Sequence, residues 1–402
     1  MVFKQILFVF FLSSYLFADL LYVGRGNDNG TLVVIDTTTN TVLTTIPNVF
    51  TFPAESNGIV FNPNGKFVYT ISDNFFFTID VATNSLILQH AGVGPGIAIT
   101  PSGEFVCLAE RGVGVVTTYS TKTGLLVHFL APPEPPYGIA ITPDSKFVYT
   151  TSEEGHLYVI SIDTNTVTQT INLGFPDGPT GIAITPNGQF AYVISQNSNN
   201  ILVVSTASNT VVATIPVDTG SAGVAVTPNG QFVYATNQSS NSVTVISTAS
   251  NTVVATIPVG SQPLGIAVTP DGQFAYVANK NDGTLSVIST ASNSVVGSPI
   301  AVGNNPDCLA FQPILLTSLT GSQKKNDFGL TFEFFNYLEW QNDPSPQISG
   351  YVVYRNGIRI AVLDAQTFSY KDHNQMQGVA TSYLVAPLFA GAEGAGLTIV
   401  IR

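Results

Sequence analysis

One phrase recurs along this chain and constrains its fold more than any other feature. It begins at a glycine, runs through a short β-branched stretch, turns at Pro-x-Gly and enters a second apolar run, as in GIAITPNGQFAYVI. Six copies begin at Gly58, Gly96, Gly138, Gly181, Gly223 and Gly265, and a degenerate seventh, CLAFQP, begins at Cys308. Their spacing of about 42 residues is typical of supersecondary units that stack on one another.

Each repeat predicts four short antiparallel strands. GIAIT is followed by the tight turn PNG, in which Pro presets φ and Gly accepts a positive φ. FAYVIS, ILVVST and VVATIPV follow, separated by polar Asn/Ser loops, and each is rich in the branched and aromatic residues that pack on pleated sheets. Four-strand units of this length are the blades of a β-propeller.

The two ends of the repeat array complete each other. Residues 20–47 supply strands two to four of a blade without its first strand, whereas CLAFQP supplies a first strand without successors. A blade shared between the two ends closes the ring and removes exposed sheet edges. We therefore predict an all-β chain with a seven-bladed β-propeller, its first blade shared, followed by a small β-sandwich.

The repeat phrases resemble those of YVTN-type propellers, which also occur in surface-layer proteins. The best match is SQPLGIAVTPDGQFAYVANKNDGTLSVISTASNSVVG, from Ser261 to Gly297. The resemblance covers about three quarters of the chain and implies the fold, but propellers host enzymes and interaction scaffolds alike.

Three segments make up the predicted organisation. Residues 1–18 have a basic start, an apolar run and a small final residue, which predicts a cleaved signal peptide and export; an uncleaved anchor is the alternative. Residues 19–313 form the propeller. Residues 314–402 resemble a fibronectin type III domain, with a hairpin at Asn356-Gly357 and Tyr383 in a late strand. This domain serves either in adhesion or spacing, or it only packs against the propeller.

The composition of the chain argues against some classes of binding partner. The net charge is −12, which argues against binding to nucleic acid or to an anionic membrane surface. The repeat register puts Cys107 and Cys308 in non-neighbouring blades, so we expect two buried free thiols. We also expect a monomer with no membrane span once the signal peptide is removed.

Acidic residues concentrate on one face of the predicted ring. This acidic face is formed by the loops that enter the innermost strands and by those between second and third strands. Its candidate binding residues are Asp28, Glu55, Asp73, Glu110, Arg111, Glu134, Tyr137, Glu153, Glu154, His156, Asp177, Asp218, Asp282 and Asp307. A surface lined by one sign of charge attracts cations or basic partners, although it can also be a solvated rim.

Three functions are compatible with this face. The leading interpretation is a non-catalytic binding or adhesion scaffold at the cell surface that presents its loops to a protein or glycan. The alternative is a hydrolase or lyase of the lactonase kind, for which His156 beside Glu153 and Glu154 is the nearest base. Because no DxDxDG loop is present, we expect no cofactor. Binding of Ca²⁺ at the acidic face is a further alternative.

Overall fold

The computed structural model describes most of the chain. It covers residues 20–26, 30–47, 49, 56–72, 75–91, 94–174, 179–313, 316–327, 332–342, 350–356, 358–364, 366–373, 381–389, 392–393 and 397–401. Within these ranges all regular secondary structure is β-strand, and no helix capable of crossing a membrane occurs. The predicted signal peptide lies outside the described residues and stays a prediction.

The propeller strands are short, mostly four to seven residues. In chain order they are Leu20–Arg25 (β1), Thr31–Asp36 (β2), Thr41–Ile46 (β3), Ser56–Phe61 (β4), Phe67–Ser72 (β5), Phe75–Asp80 (β6), Ser85–Ala91 (β7), Gly96–Ile99 (β8), Phe105–Glu110 (β9), Val115–Ser120 (β10), Leu126–Leu130 (β11), Pro136–Ile141 (β12), Phe147–Ser152 (β13), His156–Ser161 (β14), Thr166–Asn172 (β15), Gly181–Ile184 (β16), Phe190–Ile194 (β17), Asn200–Ser205 (β18), Thr210–Pro216 (β19), Ser221–Val226 (β20), Phe232–Asn237 (β21), Ser242–Ser247 (β22), Thr252–Pro258 (β23), Pro263–Val268 (β24), Phe274–Asn279 (β25), Thr284–Ser289 (β26), Ser294–Val295 (β27), Ile300–Ala301 (β28) and Pro306–Phe311 (β29).

These strands form seven antiparallel sheets, which confirms the predicted seven-bladed propeller. Blades 2 to 6 each contain four consecutive strands, from β4–β7 to β20–β23, and blade 7 contains β24–β28. Blade 1 has the order β29-β1-β2-β3, with Leu21 opposite Phe311 and Gly24 opposite Cys308. The last strand of the array therefore completes the first blade, as the end fragments predict.

The core of the ring consists of seven apolar clusters, one between each pair of neighbouring blades. Alternate residues of the two middle strands of a blade point to opposite sides, so each blade packs against both neighbours. Between blades 7 and 1, for example, Tyr276 and Leu285 pack against Leu21 and Val33. Burial of both faces explains why these strands are continuously apolar.

A tyrosine–asparagine pair joins most neighbouring blades, and we call it the latch. A tyrosine in the second strand of one blade donates its hydroxyl hydrogen to an asparagine in the last turn of the next blade. The five latches are Tyr22–Asn84 (2.6 Å), Tyr149–Asn209 (2.9 Å), Tyr192–Asn251 (2.8 Å), Tyr234–Asn293 (2.6 Å) and Tyr276–Asn40 (2.7 Å). Each asparagine has a φ near +50°, a conformation that asparagine tolerates better than most residues.

Blade 3 departs from this pattern on both sides. At the turn of blade 3 that faces Tyr69 of blade 2, Gly124 occupies the asparagine position. In the second strand of blade 3, Cys107 occupies the tyrosine position, and Asn165 of blade 4 donates to the Phe129 carbonyl instead. Neither junction of blade 3 therefore has a latch.

The C-terminal strands form a separate two-sheet core. They are Leu316–Asp327 (β30), Phe332–Asn342 (β31), Gly350–Arg355 (β32), Ile358–Asp364 (β33), Ser369–Asp372 (β34), Thr381–Phe389 (β35), Ala392–Glu393 (β36) and Leu397–Ile401 (β37). One sheet has the order β30-β31-β34, and the other has β33-β32-β35-β36 with β37 on β35. Trp340 of the first sheet packs against Tyr351 of the second, so this unit is a β-sandwich.

The two cysteines are free, and they differ in burial. Cys107 is fully buried, and this burial raises the pKa of its thiol to about 11. Cys308 lies in β29 at the inner end of blade 1 and is only partly buried. The expectation of two buried thiols is therefore wrong for Cys308, because innermost strands line the open centre of the ring.

Candidate functional site

Four of the candidate residues, Asp28, Glu55, Asp73 and Asp177, lie outside the described part of the chain. The others fall into a cluster at blades 3 and 4 and a set of separate acids at blades 6, 7 and 1.

Arg111 of blade 3 contacts two residues of blade 4. Its guanidinium forms an ion pair with Glu153, which follows β13, and lies over the Tyr137 ring of β12 at 5.3 Å from the centroid. The Arg111 and Glu153 side chains are 53% and 37% exposed, so the pair contributes little to stability. Arg111 thus lies over the ring of Tyr137, which lines the central channel.

Glu134 and His156 form a second contact, and each lies three residues along the chain from a partner of Arg111. His156 Nδ1 lies 2.9 Å from Glu134 Oε1, and Ser152 Oγ donates to Glu134 Oε2 at 2.5 Å. Partial burial pushes the pKa of Glu134 upward, but the hydrogen bonds from Ser152 and His156 and the charge of His156 outweigh it, so the pKa lies below its ordinary value. Burial, with the neighbouring Glu134 carboxylate, raises the pKa of Tyr158 to about 12.

The remaining described acids other than Glu154 accept hydrogen bonds from nearby strands and loops. Glu110 is buried at the end of β9 and accepts the Thr117 hydroxyl. Asp218 accepts from Ser242 Oγ at 3.1 Å, and Asp282 accepts from the Ser261 amide at 2.7 Å. Asp307 accepts from the adjacent Cys308 amide at 2.9 Å. Each of these four carboxylates therefore already accepts a hydrogen bond within the propeller.

Glu154 is near enough to Tyr158 for its charge to contribute to the raised pKa of that hydroxyl. Among the described residues no group of three or more His, Cys, Asp or Glu side chains is placed to bind a metal ion.

A central channel of about 510 Å³ runs along the innermost strands. The innermost strands of neighbouring blades approach each other closely: a Cβ on Gly223 would lie 2.3 Å from the Leu264 carbonyl oxygen, and one on Gly265 would lie 2.4 Å from that of Asp307. This close approach explains the repeated glycine at Gly96, Gly223 and Gly265.

Neutral amides stand at the channel mouth. Gln196 Nε2 donates to Gln238 Oε1 at 2.7 Å, and both side chains line the channel. Lys280 and Asp307 are the only charged side chains among its described lining residues, and His156 is not among them.

The candidate residues of blades 3 and 4 can be recognised from the sequence as polar loop residues, but several functional partners cannot. Ser152 and Tyr158 read as ordinary strand residues, and their roles follow from the pairing of β13 with β14. Gln196 and Gln238 occupy the same position in blades 5 and 6, and this recurrence was the available signal.

Comparison with known proteins supports the fold. A family model described as "Lactonase, 7-bladed beta-propeller" matches residues 206–297, which lie in blades 5 to 7. No curated protein matches the chain. The matched segment contains none of the residues of the Arg111 or His156 contacts.

Solved structures show the same architecture at low identity. A candidate 6-phosphogluconolactonase from Bacteroides fragilis is 18% identical, covers 74% of this chain and 99% of its own, and has a TM-score of 0.62. A functionally unknown protein from Desulfotomaculum acetoxidans is 18% identical, with coverage of 73% and 99% and a TM-score of 0.63. Hydrazine synthase from Kuenenia stuttgartiensis is 18% identical, with coverage of 63% and 88% and a TM-score of 0.56.

At these identities the likeness shows the fold alone. The closed ring of seven antiparallel sheets, the shared first blade and the family model agree with one another. This chain is a seven-bladed β-propeller protein that also carries a smaller unit, a β-sandwich.

Proposed function

We propose that the protein is an exported, non-catalytic binding protein whose acidic face binds a glycan or a glycan-bearing surface protein. The observation that carries this proposal is the chemistry of the channel mouth. Its described lining combines apolar strand residues such as Ile182 with the Gln196–Gln238 amides and Tyr137, and it includes only two charged side chains and no histidine. Carbonyls and amides suit the many hydroxyls of a sugar, and an orienting aromatic ring adds apolar contact.

The state of the acids supports binding over catalysis. Glu110, Asp218, Asp282 and Asp307 already accept hydrogen bonds from neighbouring residues of the propeller. A general acid or base must lie within reach of the reacting atom in the site, and no histidine is among the described lining residues of the channel.

The YVTN and fibronectin type III resemblances fit the same role. We infer that the sandwich is a type III module that spaces or anchors the ring, because it combines a three-strand sheet and a larger sheet around Trp340 and Tyr351. Export through the predicted signal peptide would bring this pair of domains to the cell surface.

A binding screen with matched variants tests the proposal. The full secreted protein is labelled and applied to a glycan microarray, and hits are measured by calorimetry. We expect Q196A/Q238A to lose binding at least tenfold. The control Q189A/Q231A makes the same change in the same two blades, at exposed positions that precede β17 and β21 on the opposite face. Equal loss in both variants, or no glycan bound, would contradict the proposal.

One specific observation favours a second function, hydrolysis of a lactone-type ester. The Glu134 carboxylate binds His156 Nδ1, an arrangement that leaves Nε2 as the basic nitrogen of a neutral ring. The lactonase family model and the Bacteroides fragilis structure agree with this alternative. If it holds, purified protein hydrolyses δ-gluconolactone faster than buffer does, and H156Q abolishes the excess rate while Q196A/Q238A does not.

A further inference from the structure

A cavity lies at the junction of blades 2 and 3, where the latch is missing. At five other junctions an asparagine side chain hydrogen-bonds the tyrosine of the preceding blade. At this junction Gly124 has no side chain, and a cavity of about 280 Å³ lies between Leu88 of β7 and the turn that contains Gly124. Its size lies between that of a benzene site and the lower end of drug-sized pockets.

Aromatic rings form the walls of this cavity. Tyr69 and Phe76 stack with their centroids 5.9 Å apart, and Phe76 lies 5.4 Å from Tyr119 across the junction. All three line the cavity, together with the partly exposed Leu88. A flat apolar molecule would bury its surface against these rings.

A polar atom beside the cavity lacks a partner. His90 Nε2 is buried and has no hydrogen-bond partner among the described residues. The His90 ring contacts Phe76 and Tyr119, at centroid distances of 6.0 and 5.4 Å. Burial of a polar atom without a hydrogen bond is unfavourable, so such an atom favours a ligand group that satisfies it.

The position of Gly124 connects the cavity with this nitrogen. A Cβ built on Gly124 would lie 4.0 Å from His90 Nε2 and 2.9 Å from Leu88 Cδ2. The space that the asparagine side chain would occupy therefore leads towards Nε2, with the end of the flexible Leu88 side chain between them. Access of a ligand to Nε2 therefore requires rotation of the Leu88 side chain, which is 36% exposed.

We propose that the junction of blades 2 and 3 is a binding site for a small monocyclic phenol. The ring of the ligand lies against Phe76 and Tyr119, and its hydroxyl group hydrogen-bonds His90 Nε2. A hydroxyl can donate or accept, so it suits either tautomer of His90. This site is separate from the acidic face and does not depend on the function proposed there.

The test measures 4-fluorophenol binding to the full chain by ¹⁹F NMR, with competition by 4-methylphenol and toluene. We expect saturable binding and about a tenfold preference for 4-methylphenol over toluene, the ratio that one net hydrogen bond provides. H90F keeps an aromatic ring but removes the nitrogen, so it should bind both competitors about equally.

G124N tests the location, because it places in the cavity the side chain that five other junctions carry. We expect it to abolish binding of 4-fluorophenol. G297N is the matched control: Gly297 has the same positive φ, about 70°, and nothing lies within 4 Å of its Cβ position. No saturable binding to the natural chain, undiminished binding to G124N, or an unchanged preference in H90F would each overturn the proposal.

Discussion

The latch between blades 5 and 6 gives a quantitative test of how the ring is held together. The Tyr192 hydroxyl donates to Asn251 Oδ1 at 2.8 Å, and burial raises the pKa of Tyr192 to about 12, so the hydroxyl is a neutral donor at all ordinary pH values. A neutral hydrogen bond of this kind contributes about 0.5–1.5 kcal/mol to the free energy of unfolding. The free energy of unfolding of Y192F should be lower by that amount.

A double-mutant cycle isolates the pair. Asn251 has a φ of 52°, so N251G keeps the backbone conformation while it removes the acceptor. The coupling energy of Y192F with N251G should be about 0.5–1.5 kcal/mol. The unfolded-state effect of the added glycine cancels in the cycle. Y192F with N293G is the control, because Asn293 pairs with Tyr234.

Urea unfolding followed by far-UV circular dichroism is the assay. The chain has one tryptophan, Trp340, which lies in the sandwich, so its fluorescence reports that domain and should not change in any variant. A coupling below about 0.3 kcal/mol, no larger than that of the control pair, would refute the latch as a stabilising contact.

Three further outcomes follow from the structure. Thiol reagents should modify Cys308 well before Cys107, because Cys107 is buried and its pKa is raised to about 11; intact-mass spectrometry with peptide mapping shows the order. Because the pKa of Glu134 is lowered in the folded state, its carboxylate stabilises the fold above the ordinary carboxyl pKa of about 4.3, and this stabilisation is lost as pH falls through the folded-state pKa. E134Q should therefore lose less stability than the natural chain between pH 7 and pH 3. Equal losses would contradict the Glu134–His156–Ser152 contact. Removal of divalent ions with EDTA should leave the melting temperature unchanged, because the described acids do not converge on a metal site; a clear fall would indicate bound Ca²⁺.

The sequence predicts the ring well because the fold is repeated. Each glycine, Pro-x-Gly turn and apolar run recurs in register, so one blade explains the others. The departures at Cys107 and Gly124 are also visible in the sequence, but their effect appears only when Tyr69 and Gly124 are known to face each other across a junction.

The site is less predictable because its contacts are not repeated. Glu134 lies in the loop before β12 and His156 begins β14, 22 residues later, and no periodic pattern brings them together. Their contact depends on how the loop before β12 folds over the end of β13, which is a matter of tertiary packing. The acidic face is predicted from the repeat register, whereas the hydrogen bonds of its carboxylates are not.

Closure of the ring through blade 1 is the claim on which the face and both sites depend, and one cross-link tests it. Gly24 of β1 lies opposite Cys308 of β29, and opposed residues in antiparallel strands are close enough for a disulfide. In a C107A background, G24C should form an intramolecular disulfide with Cys308 on mild oxidation, seen as a loss of two hydrogens in the intact mass of the monomer. Two free thiols, or disulfide-linked dimers only, would contradict the closed ring.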